Sequence, residues 1–219
     1  ITVGHRGGSP MRGKTYHRFG YGNMRDYPLA DDKYAIEQLA NRYDFIDINR
    51  VGIFGHSGGG FMATAAICTY PDFYKAAVSS SGNHDNNIYN RGWVEIYNGV
   101  QESTKTIQTA TGKDSIIYTF SSHVPTNMEL AKNLKGHLLL VSGDQDRNVH
   151  PAHLLRMANA LIQANKNFEM LLIPGAKHGY TGQANRFFEK KLWFHFAKYL
   201  LGDFSSEQFT DLDETLKIK

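Results

Sequence analysis

The chain is 219 residues long, with 24 Lys and Arg against 21 Asp and Glu and a formal net charge of +3. Charges of both signs are interspersed, so the sequence indicates neither a nucleic acid partner nor a membrane surface, and no apolar run approaches the ~20 residues of a membrane span. With 41% hydrophobic residues, this length predicts a single globular domain. The single cysteine, Cys68, excludes a disulfide within the chain and is predicted to be a small buried hydrophobic side chain.

The N-terminal region is predicted to contain the end of one strand and one helix. Residues 1–3 are apolar and extended, and a glycine- and arginine-rich loop follows at residues 4–13. Pro28 suits a first helical turn, and apolar residues recur at helical spacing as far as Tyr43. Because the chain has no initiator methionine and opens inside an apolar stretch, we expect it to be part of a longer protein.

The most informative motif lies at residues 50–60. A short apolar strand leads directly into Gly-His-Ser-Gly-Gly, and a helix-compatible run from Phe61 to Thr69 follows. This order is typical of a nucleophile elbow, in which a serine occupies the tip of a strained turn and glycines avoid collisions with the neighbouring strand and helix. Ser57 is therefore the candidate nucleophile, and it requires a histidine base and an orienting acid elsewhere in the chain.

Downstream of this motif, strands and helices alternate. We predict strands at residues 75–80, 137–142 and 168–174, and helices at residues 127–134, 151–165 and 184–201. Residues 84–124 have mixed periodicity and are predicted to form an insertion over the carboxyl edge of the sheet. The helix at residues 151–165 is predicted to face inward through Leu154, Leu155, Ala158, Leu161 and Ile162. The alternation predicts an α/β fold with a mostly parallel sheet and helices on both faces.

Two loops that follow predicted strands carry the remaining candidates. Asp144 and Asp146 lie after one strand, and His178 lies after the next. The chain order Ser, Asp, His, with each residue at the carboxyl end of a strand, is typical of α/β-hydrolases. The histidine would shuttle the proton of Ser57, and one carboxylate would orient its ring. Either acid could serve, because Asp144 is nearer the strand and Asp146 lies deeper in the turn.

The other histidines do not indicate a metal site. His150 and His153 share a helical face, but no third ligand stands at a recognisable spacing, and the pattern favours solvated or capping histidines. We therefore predict no metal ion and no other cofactor.

Only one donor of an oxyanion hole can be assigned from the sequence. The backbone N–H of Gly58 follows the candidate nucleophile at the start of a helix. A second donor usually comes from a loop after an earlier strand, and the glycine-rich loop around His5 superficially resembles one. Between residues 9 and 50, however, we predict one helix and no strand. Residues 1–3 are then the strand just before that helix, the strand with the second donor lies outside this chain, and His5 and Arg6 are structural.

Two of these segments resemble the catalytic domain of the prolyl oligopeptidase family of serine peptidases, especially its dipeptidyl peptidase IV and acylaminoacyl-peptidase branches. Residues 4–13 are similar to the family segment D-x-R-G-S-x-x-x-G, with a histidine in place of the acid and one extra glycine. Residues 50–60 are similar to the family elbow R-I-x-I-x-G-x-S-Y-G-G, with Gly58 in place of the tyrosine.

The two later loops carry the same resemblance, so that it covers nearly the whole chain. Residues 143–150 resemble the family loop G-x-x-D-x-x-V-H, which assigns Asp146 as the acid, and His178 with Gly179 matches the histidine loop. The resemblance implies an α/β-hydrolase fold and an upstream β-propeller domain of the same protein.

The resemblance also implies three substrate contacts. Trp93 and Tyr97 match two aromatic residues that line the pocket for a proline-sized side chain, although a tyrosine usually stands at the position of Trp93. Asn148 matches an asparagine that binds the substrate backbone. Simple packing of the two aromatic residues at i, i+4 spacing is the alternative.

The sequence therefore predicts an α/β-hydrolase catalytic domain at residues 1–202, without its first strands, and a polar C-terminal tail at residues 203–219. The predicted function is a serine peptidase that cleaves short peptides, either dipeptidyl- or oligopeptidase-like. An esterase of the same fold and a non-catalytic binding module are the alternatives. A homo-oligomer is possible by resemblance, which also favours a periplasmic or secreted location over the cytoplasm.

Overall fold

The computed structural model describes residues 6–205. The strand end predicted at residues 1–3, His5, and residues 206–219 of the predicted tail lie outside the described residues.

The helices and strands follow the predicted alternation. In the described range, the strands are β1 Val51–His56, β2 Tyr74–Ser80, β3 Gln101–Gln108, β4 Asp114–Ser121, β5 His137–Gly143 and β6 Glu169–Ile173. The helices are α1 Lys14–His17, α2 Leu29–Ala40, α3 Gly58–Thr69, α4 Arg91–Asn98, α5 Ala152–Gln163 and α6 Gly182–Phe196. Short 3₁₀ segments are Asn86–Ile88 and Met128–Asn133, and a π-helical turn, Ala197–Leu201, extends α6. Among residues 6–205, no helix is both long and apolar enough to cross a bilayer.

The central sheet has the strand order β1-β2-β5-β6, and all neighbouring strands are parallel. The strands β3 and β4 form a separate antiparallel hairpin within the region predicted as an insertion. The predicted α/β fold with a mostly parallel sheet is confirmed. Because the strands are parallel, their carboxyl ends lie at one edge of the sheet, where ligands bind in such folds.

The strand β5 is continuously apolar from Leu138 to Val141, where both of its faces are covered. Leu138 and Leu140 pack in a cluster with α3 and α5, whereas Leu139 and Val141 pack in a cluster with α6. Successive side chains of a strand point to opposite faces, so a strand between two helical layers needs apolar residues at every position. Cys68 is also fully buried, as predicted, and burial raises the pKa of its thiol to about 12.

The helix α5 faces the sheet through a narrower set of residues than predicted. Leu154, Met157 and Leu161 are buried, but Leu155 is 53% exposed and Ile162 is 62% exposed. The prediction that Leu155 and Ile162 face inward was therefore wrong. The apolar stripe of an α-helix follows i, i+3 and i+7, which joins the three buried residues and leaves the other two beside the stripe.

A charged cluster joins the start of β6 to the end of α6. The Glu169 carboxylate lies 3.5 Å from the imidazole of the buried His195 and 3.4 Å from the ammonium group of Lys191. The nearby His195 imidazole is the largest cause, and with Tyr199 and Lys191 it lowers the pKa of Glu169 to about 2 from its ordinary 4.5. The cluster stabilises the fold at the edge of the sheet opposite to the carboxyl ends of the strands.

The exposure of α5 predicts a contrast between two adjacent substitutions. We expect Leu161→Ala to lower the free energy of unfolding by about 3 kcal/mol, because Leu161 is fully buried and its truncation leaves a cavity. The matched control, Ile162→Ala, should change it by less than about 0.5 kcal/mol. Urea denaturation measures both values, and equal losses would contradict this orientation of the helix.

The charged cluster predicts a pH-dependent contribution to stability. The folded-state pKa of Glu169 is depressed, so its contribution is fully present above pH 4.5 and is lost as the pH falls to about 2. We expect Glu169→Gln to destabilise the protein by on the order of 1 kcal/mol at pH 7, because partial exposure screens the charges. The difference from the parent protein should vanish near pH 2. A difference in urea midpoint that stays constant from pH 7 to pH 2 would exclude this role of the carboxylate.

Candidate active site

The serine of the elbow sits at the tip of a strained turn between β1 and α3. Ser57 has a φ of 58°, in a region that non-glycine residues rarely adopt, and its backbone N–H donates a 2.8 Å hydrogen bond to the carbonyl of Ser80 on β2. A Cβ at Gly55 would lie 2.2 Å from the carbonyl of Gly59, and one at Gly60 would lie 2.6 Å from the carbonyl of Ser80. The two glycines therefore allow strand, turn and helix to approach as the turn requires.

The helix after the elbow begins earlier than predicted. The sequence predicts a helix-compatible run from Phe61, whereas α3 begins at Gly58, directly after Ser57. The N–H of Gly58 is thus in the first turn, at the positive end of the helix dipole. A Cβ at Gly58 would meet no atom within 4 Å, so this position is open to solvent.

The loop after β6 brings a histidine to the serine. His178 Nε2 lies 3.0 Å from Ser57 Oγ, although the two residues are 121 positions apart in the chain. The side chain of His178 is 26% exposed, so it contacts both the protein and the open edge of the sheet. This distance permits direct proton transfer between the hydroxyl and the imidazole.

The loop after β5 brings a buried carboxylate to the other side of the same ring. Asp146 Oδ2 lies 2.8 Å from His178 Nδ1, and Asp146 is 1% exposed. Its other oxygen, Oδ1, accepts hydrogen bonds of 2.9 Å from the backbone N–H groups of Asn148 and Val149. With Oδ1 held in this way, Oδ2 remains for the histidine.

The competing acid has a different partner. Asp144 is exposed, and its Oδ1 accepts a 2.7 Å hydrogen bond from the backbone N–H of Gly175. The backbone N–H of Gln145 donates to the carbonyl of Ala176 at 3.0 Å. Asp144 therefore ties the acid loop to the histidine loop, whereas Asp146 contacts the imidazole itself.

The three residues predicted to contact substrate form a row of touching side chains together with a fourth residue, Tyr89. The rings of Trp93 and Tyr97 are 5.1 Å apart, and the Tyr89 ring meets Trp93 edge-on at 5.3 Å. The Tyr89 hydroxyl donates a 2.8 Å hydrogen bond to Asn148 Oδ1. Sequence reasoning did not assign Tyr89 to the site, although an aromatic residue four positions before Trp93 was a usable signal. Tyr97, at the end of the row opposite to Asn148, also lines an apolar cavity of 480 Å³.

The remaining histidines behave partly as predicted. The Nδ1 of His150 accepts a hydrogen bond from the N–H of Ala152 at the start of α5, which is a capping role. His153 is 2% exposed and burial lowers its pKa to about 4, so the expected solvated or capping role was wrong for this residue. Its Nδ1 accepts from the N–H of Asp85, which provides a partner in the protein interior. Within the described range, no three His, Cys, Asp or Glu side chains are grouped for a metal ion.

The loop near the N-terminus is anchored through its arginine. Arg6 donates to both carboxylate oxygens of Asp31 on α2, at 3.0 and 3.1 Å, and its guanidinium lies over the ring of Phe19. These contacts are consistent with the predicted structural role of Arg6. The predicted companion, His5, lies outside the described residues.

A strained serine turn at the carboxyl edge of a parallel sheet, followed in the chain by the acid and histidine loops, characterises the α/β-hydrolase fold. The model of the prolyl oligopeptidase family matches residues 1–204, and the chain belongs to this family of serine peptidases.

Individual proteins are also similar to this chain in sequence and in structure. The chain is 29% identical to human dipeptidyl peptidase 8 over 178 residues and 24% identical to human prolyl endopeptidase FAP over 185 residues. These matches cover 81% and 84% of this chain but only 18% and 22% of the two relatives. Among solved structures, it is similar to a putative dipeptidyl aminopeptidase IV from Bacteroides ovatus, with a TM-score of 0.74 and 25% identity over 88% of this chain and 25% of that one. Porphyromonas gingivalis dipeptidyl peptidase 4 gives a TM-score of 0.68 and 25% identity, over 84% and 24% of the two chains.

The contacts of the two acids predict different effects of the same substitution. We expect Asp146→Asn in the full-length protein to lower kcat by about 10³-fold or more, because an amide neither stabilises the imidazolium nor keeps the required tautomer. Asp144→Asn keeps an oxygen acceptor for the N–H of Gly175 and should cost less than about 10-fold. Steady-state hydrolysis of a chromogenic ester measures both, and similar losses would reopen the choice of acid.

Proposed function

We propose that the protein is a serine peptidase that cleaves peptide bonds of short peptides through an acyl-enzyme on Ser57. The observation that carries the proposal is the continuous contact from Ser57 Oγ to His178 Nε2, at 3.0 Å, and from His178 Nδ1 to Asp146 Oδ2, at 2.8 Å. Membership of a serine peptidase family supports the same chemistry.

In this mechanism the three side chains have separate roles. Ser57 Oγ attacks the carbonyl carbon of the scissile bond while His178 Nε2 accepts the hydroxyl proton. The His178 imidazolium then protonates the leaving amine, and the same ring later activates the water that hydrolyses the acyl-enzyme. Asp146 stabilises the imidazolium, and its burial strengthens that interaction because little water screens the two charges.

The negative charge on the tetrahedral intermediate needs hydrogen-bond donors. We assign the N–H of Gly58 as one of them, because it follows Ser57 in the first turn of α3 and benefits from the helix dipole. The second donor belongs to a part of the protein outside the described residues in this proposal.

The aromatic row forms the substrate pocket in this proposal. Trp93 and Tyr97 supply apolar faces for a substrate side chain, and Asn148 binds the substrate backbone. Because Asn148 Oδ1 is engaged by the hydroxyl of Tyr89, its amide nitrogen is the atom that donates to a substrate carbonyl. Tyr89 therefore fixes the orientation of the amide. The larger ring of Trp93, compared with the usual tyrosine, narrows the space for a proline-sized side chain.

The partners of this domain are also part of the proposal. The match to this chain covers only 18% of the relative named dipeptidyl peptidase 8 and 22% of the relative named prolyl endopeptidase FAP. We propose that an upstream β-propeller of the same protein restricts access to the carboxyl edge of the sheet, that small peptides are therefore favoured, and that the protein can associate as a homo-oligomer. Neither a metal nor another cofactor is required by this chemistry.

Comparison of substrates tests the proposal on the full-length protein. We expect hydrolysis of Ala- or Pro-containing dipeptidyl chromogenic amides, and we expect Ser57→Ala to lower kcat by about 10⁴-fold or more. Thr64→Ala, a substitution in the same helix at a buried position away from the serine, serves as the control for folding.

Three outcomes contradict the proposal. Ester hydrolysis without amide hydrolysis would identify an esterase. Inactivity of a folded full-length protein on both substrate types would favour a non-catalytic module. Undiminished turnover by Ser57→Ala would exclude Ser57 as the nucleophile.

A further inference from the structure

We propose that His56, the residue before the candidate nucleophile, is a positioning residue that holds the histidine loop against the elbow. The inference rests on the proposed function, since it concerns the alignment of His178 with Ser57. It adds a second histidine to the site, with a role distinct from that of the proton-transferring base.

The contacts of His56 join three segments of the site. Its Nδ1 lies 2.9 Å from Ser80 Oγ, at the end of the neighbouring strand β2. Its ring lies 4.8 Å from the ring of His178, centroid to centroid, and meets the ring of Tyr180 edge-on at 5.8 Å. One side chain on β1 thus touches β2 and both ring-bearing residues of the histidine loop.

A hydroxyl network extends this connection. Ser80 Oγ donates to the hydroxyl of Tyr180 at 3.1 Å, and the same hydroxyl lies 3.2 Å from Ser81 Oγ. The Tyr180 ring packs edge-on against Phe188 on α6, with centroids 5.1 Å apart. The histidine loop is therefore held at two points: Tyr180 contacts β2 and α6, and the ring of His178 contacts His56.

The hydroxyl network also indicates which atom of His56 is the donor. Ser80 Oγ donates its proton to Tyr180, so it accepts the hydrogen bond from His56 Nδ1–H. His56 and Tyr180 are therefore joined through one hydroxyl group at the end of β2.

A neutral His56 imidazole suits this role. Desolvation is the largest cause that lowers its pKa, and the neighbouring His178 lowers it further. Asp146 and the nearby backbone of His178 act in the opposite direction, and Tyr180 presents a hydroxyl. A neutral His56 leaves the imidazolium that forms on His178 during the reaction without a second cation beside it.

The need for such a contact follows from the exposure of the loop. Gly175, Lys177 and Gly179 are all exposed, so few side chains of this loop contribute to the core. Small displacements of a general base reduce proton transfer steeply, and residues that orient such groups typically contribute about 10- to 100-fold.

Three substitutions of His56 in the full-length protein separate the contacts. His56→Phe keeps a ring but loses the hydrogen bond to Ser80, His56→Asn keeps a polar donor near the position of Nδ1, and His56→Gln places one near the position of Nε2 instead. We expect kcat to fall about 10-fold or more in the Phe and Gln variants and to stay within about 3-fold of the parent in the Asn variant, with KM changed less than about 2-fold in all three. The rate constant for labelling of Ser57 by a fluorophosphonate should follow kcat. His123→Phe, at an exposed histidine outside the site, is the matched control and should change neither value.

The outcomes separate this inference from the proposed function. If the parent protein neither hydrolyses substrate nor reacts with the fluorophosphonate, the proposed function fails and the inference fails with it. If the parent is active and His56→Phe matches it, the inference alone is overturned. Equal losses of kcat in the Asn and Phe variants would also overturn it, because a general loss of packing does not distinguish the position of a polar atom.

Discussion

The left-handed backbone of Ser57 is the constraint on which the site depends. The turn exists because Gly55 and Gly60 leave no side chains where β1, α3 and β2 meet, and the hydrogen bond from Ser57 N–H to Ser80 fixes its tip to the adjacent strand. The strain is local, and it is balanced by the buried packing of α3 against a parallel sheet. The serine hydroxyl is presented at the sheet edge as a result.

The order of the strands then determines which residues meet that hydroxyl. The strands β5 and β6 lie beyond β2 in the sheet, and all end at the same edge, so the acid and histidine loops converge on the elbow from one side. Asp146 is oriented by two backbone N–H groups, and His178 is held between that carboxylate and Ser57. In the account proposed here, His56 adds a contact from the elbow back to the histidine loop. The site is thus assembled from loops whose positions are set by strands.

Much of this arrangement could be predicted from the sequence because local patterns of residues indicated the strands, the helices and the order of the candidate residues. Apolar runs in strands covered on both faces, and the order of Ser, Asp and His after successive strands, gave the fold class and brought the candidate residues to one edge. The orientation of α5 was partly mispredicted, since Leu155 and Ile162 are apolar residues that happen to lie beside the buried stripe. Apolar character alone does not give the rotation of a helix about its axis.

Contacts made by residues distant in the chain were beyond sequence reasoning. The bond from Tyr89 to Asn148 joins residues 59 positions apart, and the burial of His153 depends on the loop around Asp85 packing against α5. The role of His56 likewise depends on where the loop of His178 comes to lie, which no local pattern specifies. Each of these contacts requires the tertiary structure.

Ser57 is the nucleophile in the proposed mechanism, and a covalent probe would identify the residue that reacts. The full-length protein would be treated with a fluorophosphonate, digested and analysed by tandem mass spectrometry. We expect a single stoichiometric adduct on Ser57. An adduct on a different residue, or none on the folded protein, would contradict it.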